Sequence, residues 1–196
     1  MIFMAGKFSL FLVKDIIFNP IKAWETIDSE NKPVNVIRNS FLFPLILLVS
    51  GSAMAGSLIF TNSELSPVYS VFEGIKCFLL FYITVYATAY ILNKITYSLD
   101  LGKNFAVSFR LIVYSVVPLL LCQVLSRLFE SLLFVNVLAL FSLYIFWTGT
   151  ERILTPTAYK KMPLLIASLI TFVVIFIATD FLFTKLIDKI YYTFFA

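Results

Sequence analysis

A chain of 196 residues, 61% of them hydrophobic and only 13% charged, is too poor in charge to be an ordinary soluble domain. Soluble domains carry about 25% charged residues, so this composition and a mean hydropathy of +0.97 predict a polytopic membrane protein. The net charge of +4 suits anionic lipid at a membrane surface and is not a nucleic-acid signature. Almost no polar sequence is left for a second domain.

Residues for enzyme or metal chemistry are scarce. The chain has no histidine, which is the commonest general base and metal ligand. It also lacks a phosphate loop, clustered carboxylates and a Gly-x-Ser-x-Gly turn. Cys77 and Cys122 form no CxxC pair and are expected to be two buried hydrophobes. We therefore expect no catalysis, no metal and no cofactor.

Residues 1–40 predict a cytoplasmic, interfacial amphipathic segment. The longest uncharged run near its start, residues 8–13, is far below the about 20 residues that a span needs. A helix lying in the membrane surface suits this pattern better. Asn19 and Pro20 are typical of a helix start, and Trp24 is expected at the membrane interface with its N–H in water.

Five apolar stretches follow within 41–185, and their lengths predict five membrane spans. They cover about 41–60, 75–94, 105–126, 131–148 and 163–183. Small residues four apart in the first span, such as Ser52 and Gly56, favour close approach of another helix. Residues 186–196 predict an outward-facing tail. The fold class is an all-α integral membrane protein, a five-transmembrane-helix bundle with an N-terminal amphipathic interfacial helix.

The basic residues predict the orientation of the bundle. Eleven of the fifteen Lys and Arg residues fall on the side of the N-terminus, and the other four are Lys76, Arg127, Lys185 and Lys189. Because basic residues concentrate on the cytoplasmic side, we expect a cytoplasmic N-terminus and an outward C-terminus. The predicted location is the cytoplasmic (inner) membrane, which the chain crosses several times.

The third span carries a polar stripe. Arg110, Tyr114 and Pro118 recur every four residues, which puts them on one helix face. Proline has no N–H, so the carbonyl of Tyr114 loses its usual partner. A second stripe lies on the second span and consists of Tyr82, Tyr86 and Tyr90. We expect the two stripes to face each other as a polar seam between spans two and three.

Two interpretations of this seam remain open. It lines a transport pathway or a headgroup pocket, as charged residues inside membranes often do. Alternatively, Arg110 snorkels toward the cytoplasmic headgroups, the tyrosines are hydrogen-bonded packing, and Pro118 is an ordinary kink. We favour the second interpretation.

A second candidate site lies near the outer end of the bundle. Asp180 of the fifth span is at a depth where Lys76 or Arg127 could reach it. The simpler interpretation is a stabilising ion pair at the outer rim, and the alternative is an ion or proton site. Asn136 of the fourth span is expected to form interhelical hydrogen bonds.

Several short motifs resemble the Yip family, small membrane proteins first named for interaction with Ypt/Rab GTPases. They are Asn19-Pro20 followed by Trp24, LDLGKNF at 99–105, YSVVP at 114–118 and the connection at Gly149. The resemblance covers most of residues 15–185 and is to a bacterial member. It implies a five-span helical fold with a cytoplasmic N-terminus, and it brings no catalytic motif.

The first functional prediction is a non-enzymatic scaffold that organises membrane or recruits a partner. A small transporter or channel using the seam is one alternative, and a lipid-handling protein is another. The expected partners are membrane lipids, with a second copy of the chain or another membrane protein left open. No nucleic acid is expected.

Overall fold

The computed structural model describes residues 11–60, 67–102 and 104–194, and every regular element within them is a helix. The start of the predicted amphipathic segment, Lys103 and the last two residues lie outside the described residues. Residues 11–18 are helical, and α1 follows at Pro20–Glu30. Helix α1 ends at Asn31, which adopts a left-handed conformation (φ 41°) that asparagine tolerates better than most residues.

Five long helical segments form the bundle. The first two spans are α2 (Val34–Phe60, with a π-helical turn at Arg38–Leu42) and α3 (Pro67–Ser98). The third is divided into α4 (Phe105–Ser115) and α5 (Val117–Leu128). The fourth is a 3-10 helix (Glu130–Leu140) continued by α6 (Phe141–Ile153), and the fifth is α7 (Ala158–Phe194). The chain is an all-α, multi-pass membrane protein with four helices of spanning length, or five with α4 and α5 as one span.

The helices extend beyond the apolar stretches of the sequence. Residues 34–40 were assigned to the interfacial segment but begin α2. Helix α7 begins ahead of Pro163 and continues through the predicted tail to Phe194. Hydropathy identifies only the apolar middle of a span. The helix continues beyond this part, because backbone N–H and C=O groups close to lipid still need hydrogen-bond partners within the chain.

The third span is broken at the position of its proline. Helices α4 and α5 meet at an angle of 41°, and Val116 between them has φ −80° and ψ 0°. Pro118 cannot donate to the carbonyl of Tyr114. The next amide, of Leu119, donates to Oγ of Ser142 on α6 at 3.3 Å. A side chain of the neighbouring span thus satisfies backbone at the break.

The third span lies at the centre of the bundle. Every residue from 108 to 118 is buried, including Phe109 and Leu111 with no measurable exposure. Helix α3 packs against α2, α4 and α7, and α5 packs against α2 and the 3-10 helix. Because successive spans run in opposite directions, α2 and α4 start at the same end of the bundle, which we call the α1 end. Helix α3 starts and α5 ends at the opposite end, which we call the distal end.

The N-terminal helices dock on the α1 end through Trp24. This indole is only 2% exposed, and its Nε1–H donates to the carbonyl oxygen of Ile145 on α6 at 2.9 Å. Its ring also meets the ring of Tyr114 edge-on, with centroids 6.1 Å apart. The expectation that Trp24 keeps its N–H in water was wrong, because a helix carbonyl takes the place of water.

Candidate functional site

A polar cavity of about 460 Å³ lies at the distal end of the bundle. It opens between α2, α3, α5 and the 3-10 helix. Its polar lining consists of Glu73 and Lys76 of α3, Gln123, Ser126 and Arg127 of α5, Asn136 of the 3-10 helix, and Ser57 and Tyr69. A cavity of this size falls within the range of small-molecule binding sites.

Three charged side chains form the centre of this cavity. Glu73 accepts from both neighbours: its Oε2 lies 2.7 Å from Nζ of Lys76, and its Oε1 lies 3.1 Å from Nη1 of Arg127. All three side chains are largely buried, with exposed fractions between 11% and 23%. Among the described residues of this cavity, two cations and one carboxylate give a net charge of +1. Charges that are largely buried within a membrane bundle are costly and often serve a function.

A chain of amides extends from the charges to the fourth span. Nε of Arg127 donates to Oε1 of Gln123 at 3.2 Å, and Nε2 of Gln123 donates to Oδ1 of Asn136 at 3.2 Å. Oγ of Ser126 donates to the same Oδ1 at 3.3 Å. These bonds use only the oxygen of the Asn136 amide, so its Nδ2 group is left to donate. Asn136 forms the interhelical hydrogen bonds expected from the sequence.

Close contact between α2 and α5 shapes one side of the cavity. Gly56 is buried, and a Cβ atom there would overlap the backbone carbonyl oxygen of Arg127. Only glycine therefore fits at this crossing. By contrast, Gly51 has nothing within 4 Å of the position of a Cβ atom. Of the two pairs of small residues four apart in the first span, Gly51 with Ala55 and Ser52 with Gly56, the one containing Gly56 makes the close approach.

An apolar groove of about 300 Å³ lies beside the break in the third span. It runs between α4, α5, the fourth span and α7. Its lining includes Ile112, Val116, Leu119, Ala139, Leu143 and Leu169. Apart from Asn136, its polar side chains are Ser115, Ser142 and Ser168. The groove offers a surface that suits a hydrocarbon chain.

Asn136 lines both the polar cavity and the apolar groove. The cavity residues lie near the distal end, at the start of α3 and the end of α5. The groove residues lie deeper, around the break at Val116. The two spaces therefore adjoin at Asn136, and we call the pair of them the cleft: its charged part lies toward the distal end and its apolar part toward the middle of the bundle.

The stripe on the third span faces the N-terminal segment and α2. Arg110 is only 5% exposed, and its Nη2 donates to Oδ1 of Asn31 at the end of α1. Its Nε has no hydrogen-bond partner within the described part of the chain. Tyr114 contacts the ring of Phe41 on α2 with centroids 4.8 Å apart, in addition to Trp24. Pro118 forms the break.

The tyrosines of the second span meet the third span at a different residue. The ring centroids of Tyr82 and Tyr86 are 4.8 Å apart, and those of Tyr86 and Phe109 are 4.9 Å apart. Tyr90 is 55% exposed, with Nζ of Lys94 at 4.7 Å from its ring centroid. Spans two and three do pack together at Phe109, whereas the contacts described above for Arg110 and Tyr114 are with α1 and α2. Four-residue spacing shows which residues share a face and not which helix that face meets.

The outer-rim ion pair has a different acid from the one predicted. Lys76 and Arg127 come together on Glu73, whereas Asp180 pairs with neither of them in the described ranges. Glu73 was assigned to the connection at 61–74, but α3 begins at Pro67 and so includes it. As helical residues, Glu73 and Lys76 share a face at a spacing of three.

Gln123 is another cavity residue that sequence reasoning missed, as is Ser126. Its signal is the spacing of Gln123, Ser126 and Arg127, which places three polar groups on one face of an apolar span. Together with Asn136, these residues mark the distal half of the third span as a polar site.

Comparison with protein families identifies one match. The family model described as the Yip1 domain matches residues 14–180. The matched range includes α1, the first four spans and most of α7, and therefore both the polar cavity and the apolar groove. No curated protein and no solved structure matches the chain.

Proposed function

This chain belongs to the Yip family of membrane proteins. We propose that it binds a membrane lipid in the cleft formed by the polar cavity and the apolar groove. This is a lipid-handling function without catalysis. With the N-terminus on the cytoplasmic side, as the basic residues predict, the cavity lies in the outer half of the bilayer.

The position of Asn136 supports this proposal most strongly. This residue lines a cavity with a net charge of +1 and also an apolar groove. A membrane lipid has the same two parts in the same order, a polar headgroup near the surface and hydrocarbon toward the middle. A solute for transport would not need the groove, and a protein partner would not need charges that are largely buried.

The lipid can be detected on the purified protein by native mass spectrometry. We expect wild type to carry one lipid that withstands mild detergent. Ala139→Phe places a ring in the groove beside Asn136 and should remove that lipid while the protein stays monodisperse. Ala178→Phe, at an exposed position of α7, is the matched control and should retain it. Absence of a one-to-one lipid from wild type, or its retention by Ala139→Phe, would refute the proposal.

A scaffold role is a second candidate, supported by the N-terminal helices. Leu12, Ile16 and Trp24 are buried against the bundle, whereas Phe18 and Ile21 are exposed. Exposed Lys14 and Lys22 lie on the same segment, an arrangement that suits a membrane surface or a partner. Deleting the segment would also remove Trp24 from the core. The cleaner test is Phe18→Ser with Ile21→Ser, which should release a recruited partner and leave the lipid in place.

Transport through the seam has less support from the geometry. A pathway would require the guanidinium of Arg110 to reach water along spans two and three. This side chain is buried beneath the N-terminal segment and bonded to Asn31. Arg110→Ala that abolishes solute flux without unfolding the protein would restore this alternative.

A further inference from the structure

We infer that the cleft selects a lipid whose headgroup is a phosphodiester with a single net negative charge. The phosphate would lie between Arg127 and Lys76. This inference rests on the proposed lipid-binding function and adds the class of lipid. It follows from the charge balance of the cavity and from the donors that line it.

The charge balance favours one negative charge over none or two. Lys76, Arg127 and Glu73 together carry +1 at exposed fractions of 11% to 23%. A headgroup of charge −1 brings the sum to zero. A zwitterionic headgroup leaves +1 uncompensated, and a phosphomonoester near −2 leaves −1. An uncompensated charge is costly in a site that is this largely buried.

The positions of the two cations suit a phosphate. Glu73 holds Lys76 on one of its oxygens and Arg127 on the other, which keeps both cations at the same cavity wall. Each cation has further donors, since an ammonium has three and a guanidinium has five. A phosphate can therefore bind both without displacing Glu73. Charge-assisted bonds of this kind are the strong ones.

Neutral donors and acceptors line the rest of the cavity. The Nδ2 group of Asn136 is not used in the bonds to Gln123 and Ser126. Ser57 and Ser126 add hydroxyls, which both donate and accept. These groups match the hydroxyls of a polyol such as glycerol. Phosphatidylglycerol is accordingly the probe of choice, and its acyl chains would enter the groove beyond Asn136.

The test compares two lipids that differ only in headgroup. Wild-type protein in detergent is titrated with dioleoyl phosphatidylglycerol and, separately, with dioleoyl phosphatidylethanolamine, and bound lipid is counted by native mass spectrometry. We expect roughly tenfold preference for phosphatidylglycerol, which corresponds to about 1.4 kcal/mol and is typical of one hydrogen bond to a charged group. Equal binding of the two lipids would overturn the inference and leave the proposed function intact. Failure of both to bind one-to-one would overturn the proposed function itself.

Two variants locate the preference in the cavity. Arg127→Gln and Lys76→Gln should each abolish the preference for phosphatidylglycerol. Lys94→Gln, an exposed position on the same helix as Lys76, is the matched control and should keep it. A preference that persists in both cavity variants would contradict the assignment. If a cavity variant does not fold, the titration of wild-type protein with the two lipids alone decides whether the headgroup is selected.

A competition separates a lipid from a soluble phosphate ester. Glycerophosphoglycerol, the deacylated form of phosphatidylglycerol with the same phosphodiester charge of −1 and no acyl chains, is added to the complex with phosphatidylglycerol. We expect no displacement, because the groove holds the chains. Displacement at the concentration that binds glycerophosphoglycerol alone would show that the site serves a soluble anion, and would overturn the lipid assignment.

Discussion

The indole ring of Trp24 lies directly over Gly149. A Cβ atom at Gly149 would overlap two carbons of the six-membered ring and touch a methyl group of Leu111. The N–H of the same indole donates to Ile145, one helical turn earlier on α6. Glycine and tryptophan therefore fasten the N-terminal helices to the bundle as a pair, although they are far apart in sequence.

We predict that Gly149→Ala loosens this attachment. Overpacking of a filled site costs about 1–3 kcal/mol, so thermal unfolding in detergent should occur at lower temperature. Protease should also cut residues 11–30 faster than in wild type. Gly51→Ala is the matched control, because a Cβ atom there meets nothing. Equal stability of the two alanine variants would contradict the close contact.

Gly56→Ala should affect the cleft rather than the N-terminal helices. The added methyl group would push α2 from the backbone of Arg127 and widen the polar cavity. We expect weaker binding of phosphatidylglycerol in native mass spectrometry, with normal protease resistance of α1. Gly51→Ala serves again as the control. Unchanged lipid binding in Gly56→Ala would mean that this crossing does not shape the cavity.

Glu73→Gln should lower the stability of the protein, and an anionic lipid should restore part of that stability. The change leaves Lys76 and Arg127 without their shared carboxylate. Since these groups are partly exposed, we expect a loss of about 1–3 kcal/mol, less than for a fully buried pair. Added phosphatidylglycerol should recover more stability in the variant than in wild type. Asp180→Asn is the control and should show neither effect.

Ser142→Ala tests whether the hydroxyl of Ser142 accepts a hydrogen bond from the backbone at the break in the third span. The variant removes the acceptor of the Leu119 amide. Interhelical hydrogen bonds in membranes contribute about 0.6 kcal/mol on average, so we expect a small loss of stability and faster hydrogen exchange at Leu119. Ser52→Ala removes a hydroxyl bonded only within its own helix, to Leu48, and should leave this exchange unchanged. Exchange at Leu119 that is equally slow in both would contradict the cross-span bond.

The architecture was predictable because lipid imposes simple rules. Apolar stretches of spanning length identified the helices, and Pro118 marked the break since proline cannot complete the backbone bonds of a helix. Gly56 stood in a small-residue pattern that favours close packing. In each case the signal lies within one stretch of sequence.

The residues of the candidate site could not be predicted from single segments of the sequence. Glu73 was missed because the start of α3 reaches beyond its apolar part, which placed the residue in a loop. Arg110 and Tyr114 share a face as predicted. That face meets α1 and α2, because Asn31 and Arg110, 79 positions apart in the sequence, come together at the α1 end. Which faces meet is decided by packing of the whole bundle.

The most direct test of the central proposal maps where a bound lipid lies on the wild-type protein in a bilayer. Phosphatidylglycerol carrying a photoactivatable group in the headgroup or near the middle of a chain is crosslinked, and the labelled peptides are identified. We predict that headgroup labels fall on residues 123–136 and chain labels on the groove around Ala139, Leu143 and Leu169. Labels spread over the exposed face of α7, such as Val174 and Ile177, with none in the cleft, would contradict lipid binding there.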